Sequence, residues 1–172
     1  MATIGFSVKF PWGEETHFVP KIWEGIIEYG LFPQWASLPY LLLAEGKNLD
    51  YIFKKEGISP KIHTIREDKA DLWKPGRKIH PVVFNRTKDR FQFAPVLECK
   101  SVQRIEVIYA ESNNHKPKVI IDENIFYNTL AGINKGMEKL ARNDGFDSAG
   151  DFFRFFNKDF TGKIIHWTDF HY

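Results

Sequence analysis

The sequence predicts one α+β domain over residues 1–172, a small mixed β-barrel with flanking helices. Three observations lead to this prediction: a helical pattern near the start, a middle rich in strand patterns, and two short helices before a last strand. Many strands at short spacing favour a closed or nearly closed barrel. A chain of 172 residues is long enough for one domain with a sizeable core.

The first segment, TIGFSVKF at residues 3–10, alternates as a strand does. The following PWGEET is typical of a turn. Thr16 is a candidate N-cap for a helix that Gly30 would stop. The apolar residues of this helix share one face and are Val19, Ile22, Trp23, Ile26 and Ile27.

Residues 31–56 mix prolines with apolar residues and give no regular pattern. We interpret them as an insertion into a smaller fold. Its last part predicts a short helix with Asn48 as the cap and Gly57 as the stop. The pattern leaves open whether the insertion covers a cleft as a lid or contacts a second copy.

The remaining elements follow at short spacing. KIHTIR at 61–66 predicts a strand, and the β-branched and aromatic residues after it predict several more. A helix is expected to end at Gly145, and a second to start at Asp147 or Ser148. The chain then finishes with a strand in GKIIHWTDFHY.

Composition excludes several function classes. The chain has no glycine-rich phosphate loop, so nucleotide hydrolysis by that route is not expected. Six scattered histidines and the lone Cys99 show no zinc spacing, so we predict no metal and no cofactor. One cysteine, no signal-like N-terminus and no apolar run of membrane-spanning length predict a cytoplasmic protein without a membrane partner.

Charge is unevenly distributed although its net value is only +2. Residues 54–104 hold 13 Lys or Arg against 6 Asp or Glu, and the rest of the chain is acidic. A basic segment of this kind suits a phosphate or a nucleotide, whereas an ordinary solvated strand surface produces the same count. The sequence predicts no oligomeric state.

Lys61 and Thr64 form a candidate reactive pair. A threonine hydroxyl becomes a nucleophile when a base removes its proton, and a neutral lysine is a suitable base. Burial, or a cationic neighbour such as Arg66, would lower the lysine pKa enough. Asp144 is a candidate proton donor, with Asp147 and Glu67 as competing acids. The alternative is a surface lysine and an ordinary strand threonine.

Strand geometry constrains this pair. Residues three apart in an ideal strand point to opposite faces. Lys61 and Thr64 therefore share a pocket only if the chain bends after Pro60 or if the strand begins after Lys61. The same alternation turns His63 away from Thr64, so we expect His63 to pack or to lie at the rim.

The segment KIHTIREDKADLWKPGRKI resembles the signature of ASCH domains, members of the PUA-like superfamily. That signature has the form G-x-K-x-x-T-x-R, followed by a turn. Here it is carried by Lys61, Thr64 and Arg66, although Gly57 lies two residues from the usual glycine position. The opening FPWGEETHFVPKIWEGI and the tail LARNDGFDSAGDFFRFF also resemble the family, so the similarity covers most of the chain.

The resemblance implies a β-barrel with a cleft on one side. It also implies two alternative functions, of which one is binding of RNA. The other is amidohydrolysis of N4-acetylcytidine, in which Lys61 would be the base, Thr64 the nucleophile and Asp144 the proton donor. Asp144 replaces a glutamate of the family and is shorter by one methylene. The expected partner is a modified nucleoside or RNA, bound by residues of the signature and the following turn: Arg66, Trp73, Lys74 and Arg77.

Overall fold

The computed structural model describes residues 2–53, 57–109, 117–128 and 135–172. These ranges contain helices and strands in the mixed order that an α+β protein requires. The strands are β1 (Thr3–Phe6), β2 (His63–Arg66), β3 (Lys78–Val83), β4 (Phe91–Gln92), β5 (Leu97–Glu98), β6 (Ser101–Tyr109), β7 (Pro117–Ile121), β8 (Asn124–Asn128) and β9 (Phe160–His166). The α-helices are α1 (Phe18–Glu28), α2 (Leu38–Glu45), α3 (Lys135–Asn143) and α4 (Ala149–Phe155).

The described strands form two sheets. In the first sheet β3 is central, parallel to β1 and antiparallel to β4 and β5. The second sheet has the order β2-β9-β6-β7-β8 and is antiparallel throughout. The α+β prediction is confirmed, whereas these pairings do not close into the predicted barrel.

The barrel stays open because the sheets are joined along one side only. There the chain passes from β5 to β6, and the Lys100 N–H donates to the His166 carbonyl at the end of β9. On the other side β1 and β2 are both edge strands. The Arg66 side chain spans this gap, with Nη2 donating to the Gly5 carbonyl at 2.9 Å. Backbone pairing needs strands about 4.8 Å apart, which leaves no room for an intervening guanidinium.

The start of α1 differs slightly from the prediction. The N-cap position is His17, in a left-handed conformation, rather than Thr16. The Thr16 hydroxyl instead accepts the Phe18 N–H at 3.3 Å and donates to the Ser7 carbonyl. Gly30 follows the helix with a φ of 64°, as expected for a stop signal.

The 31–56 segment is more helical than its sequence predicts. It holds α2 between two short 3-10 helices, Gln34–Ser37 and Asp50–Phe53. Asn48 lies in a left-handed turn before the second of these, and residues 54–56 of the expected helix lie outside the described residues. The sequence pattern does not predict α2 because Pro39 and the short length of the helix hide the helical period.

Later helices agree well with the pattern. Ser148 caps α4, accepting the Asp151 N–H at 3.1 Å. Asp147 is therefore not the cap. Gly145 ends the turn after α3 with a φ of 91°, although residues 130–134 of the expected helix lie outside the described ranges.

Two hydrophobic cores lie on opposite sides of the second sheet. Successive residues of β9 contribute to different cores, Ile164 to one and Ile165 to the other. The first core lies among α1, the first sheet and the 31–56 segment. The second core lies beneath α3 and α4. The strands β2 and β9 thus separate the cores, and their polar residues are buried from both sides.

We predict that Gly25→Ala destabilises the fold. A Cβ at Gly25 would lie 2.5 Å from the Lys61 carbonyl oxygen, and this backbone atom has no room to yield. The free energy of unfolding should fall by about 1–3 kcal/mol, which urea titration measures. The matched control is Gly46→Ala, whose new Cβ meets only atoms at 3.7 Å. Equal stability of the two variants would contradict close packing of α1 on residue 61.

Candidate functional site

Lys61 lies just before β2, because the chain there bonds to helices and not to a strand. Its N–H donates to the Lys21 carbonyl at 2.8 Å, and the Ile62 N–H donates to the Asn143 carbonyl at 3.0 Å. Pairing with β9 begins only at His63. The strand therefore starts after Lys61, which is one of the two geometries that the sequence required.

The Lys61 amine and the Asp144 carboxylate form a buried ion pair. Lys61 Nζ lies 2.7 Å from Asp144 Oδ1 and also donates to the Asp144 main-chain carbonyl. Oδ1 accepts the Ile65 N–H at 3.0 Å, and His63 Nδ1 lies 3.6 Å away. The carboxylate thus lies along the free edge of β2 and accepts a backbone hydrogen bond that a neighbouring strand would otherwise accept.

The buried environment shifts the pKa values of both Lys61 and Asp144. Burial lowers the pKa of Lys61 to about 8, and the opposing charge of Asp144 limits the shift. Burial by itself raises the pKa of Asp144, but the positive charge of Lys61 and contact with His63 outweigh it and bring that pKa below its usual value. Asp144 is accordingly ionised at neutral pH, while Lys61 titrates near pH 8.

A second buried lysine binds the same turn. Lys21 Nζ donates to the Gly145 carbonyl at 2.8 Å and to Asp147 Oδ1 at 2.6 Å. Both lysines therefore contact the segment just after α3, where the negative end of the helix dipole favours cations. Asp147 pairs with Lys21, while Glu67 is exposed and lies 3.1 Å from Lys69.

Thr64 lies on the opposite face of β2 from Ile65. It is paired with Ile165 of β9, so its side chain faces the first core. Thr64 is 2% exposed, and among the described residues no hydrogen bond joins its hydroxyl to another group. The structure therefore bonds Lys61 to Asp144 and leaves Thr64 apart from both of them.

Two unpartnered N–H groups share the Thr64 face. Arg66 Nε and Trp167 Nε1 are buried and have no hydrogen-bond partner among the described residues. Arg66 is two residues from Thr64 on β2, and Trp167 comes two residues after Ile165, just past the end of β9. These donors flank the threonine along the same sheet face.

The Phe6 ring lies at the centre of this face. Its centroid lies 5.4 Å from the Arg66 guanidinium carbon, 6.0 Å from Lys61 Nζ and 6.4 Å from the Trp167 centroid. The ring of Phe18 is closer to Lys61 Nζ, at 4.7 Å. Aromatic rings thus lie close to both the amine and the guanidinium.

The expected binding residues of the following turn lie elsewhere. Trp73 is 8% exposed and belongs to the first core, with the Arg77 guanidinium 5.7 Å from its ring. Lys74 is exposed and forms an ion pair with Asp71 at 3.0 Å. Trp73 and Lys74 line a surface groove of about 690 Å³ together with Lys163. Arg66 is separate from this groove, in the gap between β1 and β2.

Sequence reasoning missed the partners of His63. His63 Nε2 lies 2.8 Å from the Tyr172 hydroxyl, which also accepts the Asn143 side-chain N–H at 2.9 Å. Burial lowers the pKa of His63 and raises that of the Tyr172 phenol. His63 is fully buried, which fits the packing role expected for it. Alternation places His63 inside, but no local pattern identifies a partner 109 residues away.

The described residues offer little support for a metal site, a reactive thiol or a membrane-spanning helix. They hold no group of three or more His, Cys, Asp or Glu side chains that suits a metal ion. Burial raises the pKa of the Cys99 thiol to about 11, which makes it a poor nucleophile. No helix in these ranges is both long and apolar enough to cross a membrane.

Comparisons with known proteins give no match: no family model, no curated protein and no solved structure is similar to the chain. The resemblance to ASCH domains therefore rests on the motifs of the sequence.

We predict that the buried Lys61–Asp144 pair is strongly coupled. Asp144→Asn leaves a buried ammonium without its counter-charge and should cost about 3–5 kcal/mol of unfolding free energy. Lys61→Met should cost a similar amount, and the double variant much less than the sum of the two. Denaturant titration of the four proteins measures the coupling.

The exposed pair Lys69–Glu67 is the matched control. Removing Lys69 should change stability by less than about 1 kcal/mol. Additive effects of Asp144→Asn and Lys61→Met would show that the buried pair is not coupled.

Proposed function

We propose that the chain is an ASCH-like protein of the PUA-like superfamily, an amidohydrolase of an acylated nucleobase such as that of N4-acetylcytidine. The observation that carries the proposal is the pair of unpartnered donors, Arg66 Nε and Trp167 Nε1, on the face of Thr64. Buried polar groups are nearly always hydrogen-bonded, so unpartnered ones suggest a missing acceptor. An acyl oxygen is an acceptor of the required kind.

In the proposed reaction these donors would stabilise an oxyanion. Fixed N–H groups in a dry environment stabilise the negative charge that develops on a carbonyl oxygen under attack. Arg66 is held by its bond to the Gly5 carbonyl, and Trp167 is packed in the first core. Both are thus oriented before any substrate arrives.

The proposed reaction begins at Thr64. Neutral Lys61 removes the proton of the hydroxyl, and Oγ1 forms a bond to the acyl carbon. The electron pair on the acyl oxygen then re-forms the carbonyl double bond, and the C–N bond breaks. The Lys61 ammonium gives its proton to the departing amine. Water, deprotonated by Lys61, then forms a bond to the acyl carbon, the bond from that carbon to Oγ1 breaks, and the Lys61 ammonium returns its proton to Thr64. Because Thr64 is almost fully buried, a substrate reaches it only if the residues around it move.

This scheme gives Asp144 a different role from the proton donor that the resemblance implies. An ionised carboxylate has no proton to donate, and the charge of Lys61 lowers the pKa of Asp144 despite burial. Asp144 instead holds Lys61 when the amine is charged. Neutral Lys61 loses that attraction and becomes able to turn toward Thr64.

A second candidate function is binding of a nucleotide or RNA without turnover. It is favoured by the 2.7 Å bond between Lys61 and Asp144, which occupies the proposed base. The excess of basic residues between 54 and 104 supports contacts to phosphate. Such binding should weaken steeply as salt concentration rises, whereas binding of an uncharged nucleoside should not.

We predict that Thr64→Val abolishes turnover of N4-acetylcytidine and related acyl amides while the protein stays folded. Valine keeps the branched shape of threonine and removes only the hydroxyl. Chromatography that monitors the release of cytidine measures the reaction. Thr161→Val is the matched control, since Thr161 is an exposed threonine of the neighbouring strand β9.

Turnover by wild type and by Thr161→Val, with none by Thr64→Val, is the expected result. If the wild type does not turn over any of these amides, hydrolysis is excluded. Salt-sensitive binding of an oligonucleotide by that inactive wild type would then support the second candidate.

We predict that kcat/KM rises with pH through about 8 and then levels. Lys61 acts only when neutral, and burial lowers its pKa to about 8 from its ordinary value. The neutral fraction therefore grows as pH increases toward that value. In Asp144→Asn the charge that raises the Lys61 pKa is gone, so the rising limb should move to lower pH. A profile that is flat between about pH 6 and 9 would contradict Lys61 as the base.

A further inference from the structure

The 31–56 segment exposes an unusual amount of apolar surface. Five large side chains there are between 48% and 75% exposed: Trp35, Leu38, Leu42, Leu43 and Tyr51. Trp35, Leu38 and Leu42 are spaced by three and four residues, which places them along one stripe of the helical segment. We call these five side chains the α2 patch.

The helix α2 is apolar on both sides. Its sequence LPYLLLAE contains one charged residue, Glu45, at its C-terminal end. Ala44 is buried against the first core, and Tyr40 packs on it. The opposite side, with Leu38, Leu42 and Leu43, faces outward. A helix that is hydrophobic all round is normally covered on all sides, so the outer side requires a partner.

We propose that the α2 patch is the contact of a homodimer with two-fold symmetry. The patch exposes about 600 Å² if a fully exposed large side chain presents about 200 Å². A standard interface buries about 800 Å² on each partner, so the patch with its rim supplies what one side of a dimer needs. The largest apolar patch of an ordinary monomer is about 300–600 Å² and is often functional.

The patch complements itself across a two-fold axis. An antiparallel crossing centred near Tyr40 sets Leu38 of one copy against Leu42 of the other. The same axis sets Glu45 against Trp35, so like charges do not meet. Closed isologous contacts of this kind are the commonest in soluble oligomers.

A lipid surface is a poorer match for the patch. Interfacial helices that bind membranes carry Lys and Arg on their polar face. Between residues 31 and 56 the chain has three basic residues, Lys47, Lys54 and Lys55, against three acidic residues, Glu45, Asp50 and Glu56. The segment therefore has no net positive charge to attract anionic lipids.

Sedimentation equilibrium of the full chain tests the proposal. At a concentration of about 100 μM, a hundredfold above a Kd of about 1 μM, the wild type should have twice the mass of the chain. Leu42→Lys should be a monomer with an unchanged thermal midpoint after correction for association. The matched control is Leu72→Lys at a leucine of similar exposure outside the patch, which should remain a dimer.

A charge-pair variant tests the geometry. In Leu38→Glu/Leu42→Lys the opposite charges face each other across the two-fold axis, so dimer formation should recover relative to Leu42→Lys. A monomeric wild type at 100 μM would overturn the proposal, as would a Leu42→Lys protein that dimerises as strongly as the wild type. Binding of monomeric wild type to anionic vesicles, lost in Leu42→Lys, would overturn it in favour of a lipid surface.

Discussion

The buried ion pair of Lys61 and Asp144 is the interaction on which the rest of the site depends. It joins three parts of the fold: the segment before β2, the free edge of β2 and the turn after α3. The carboxylate accepts the Ile65 N–H that an edge strand would otherwise leave unpaired. Lys21 binds the adjacent Gly145 carbonyl, so two ammonium groups hold the end of α3 against α1 and β2. Desolvation of these charges is costly, and their mutual bonds offset that cost only while both partners are present.

The same pair controls what the site is able to do. Burial lowers the pKa of Lys61 to about 8, which brings a lysine into the range where a base is useful. Asp144 opposes that shift and holds the charged amine by an ion pair. In the proposed reaction, structural pairing and proton transfer compete for this one amine. The unpartnered donors of Arg66 and Trp167 are the groups that we propose bind a substrate oxygen.

The exposed side of α2 contrasts with this centre. Around Lys61 charged groups are buried, with Lys61 paired to Asp144, whereas on α2 apolar side chains are exposed. Both arrangements depart from the usual distribution of polar and apolar residues, and each has a physical requirement of its own. The buried charges require counter-charges within the chain. The exposed leucines and tryptophan require cover from outside it, and their surface is about the size of one side of a dimer contact.

The sequence by itself determined the α+β class and the helix α1 with its stop at Gly30. It also predicted a cap at Asp147 or Ser148, and either a bend after Pro60 or a strand that starts after Lys61. Each of these depends on neighbours a few residues apart, where period, capping and turn chemistry act. Tertiary structure decided that the sheets stay open, that Trp73 is buried, and that Asp144 bonds Lys61 while Thr64 faces the first core. The partner of Lys61 lies 83 residues away, and the Arg66 bond to Gly5 spans 61. Contacts of such separation depend on how elements pack, and no local pattern in one sequence contains that information.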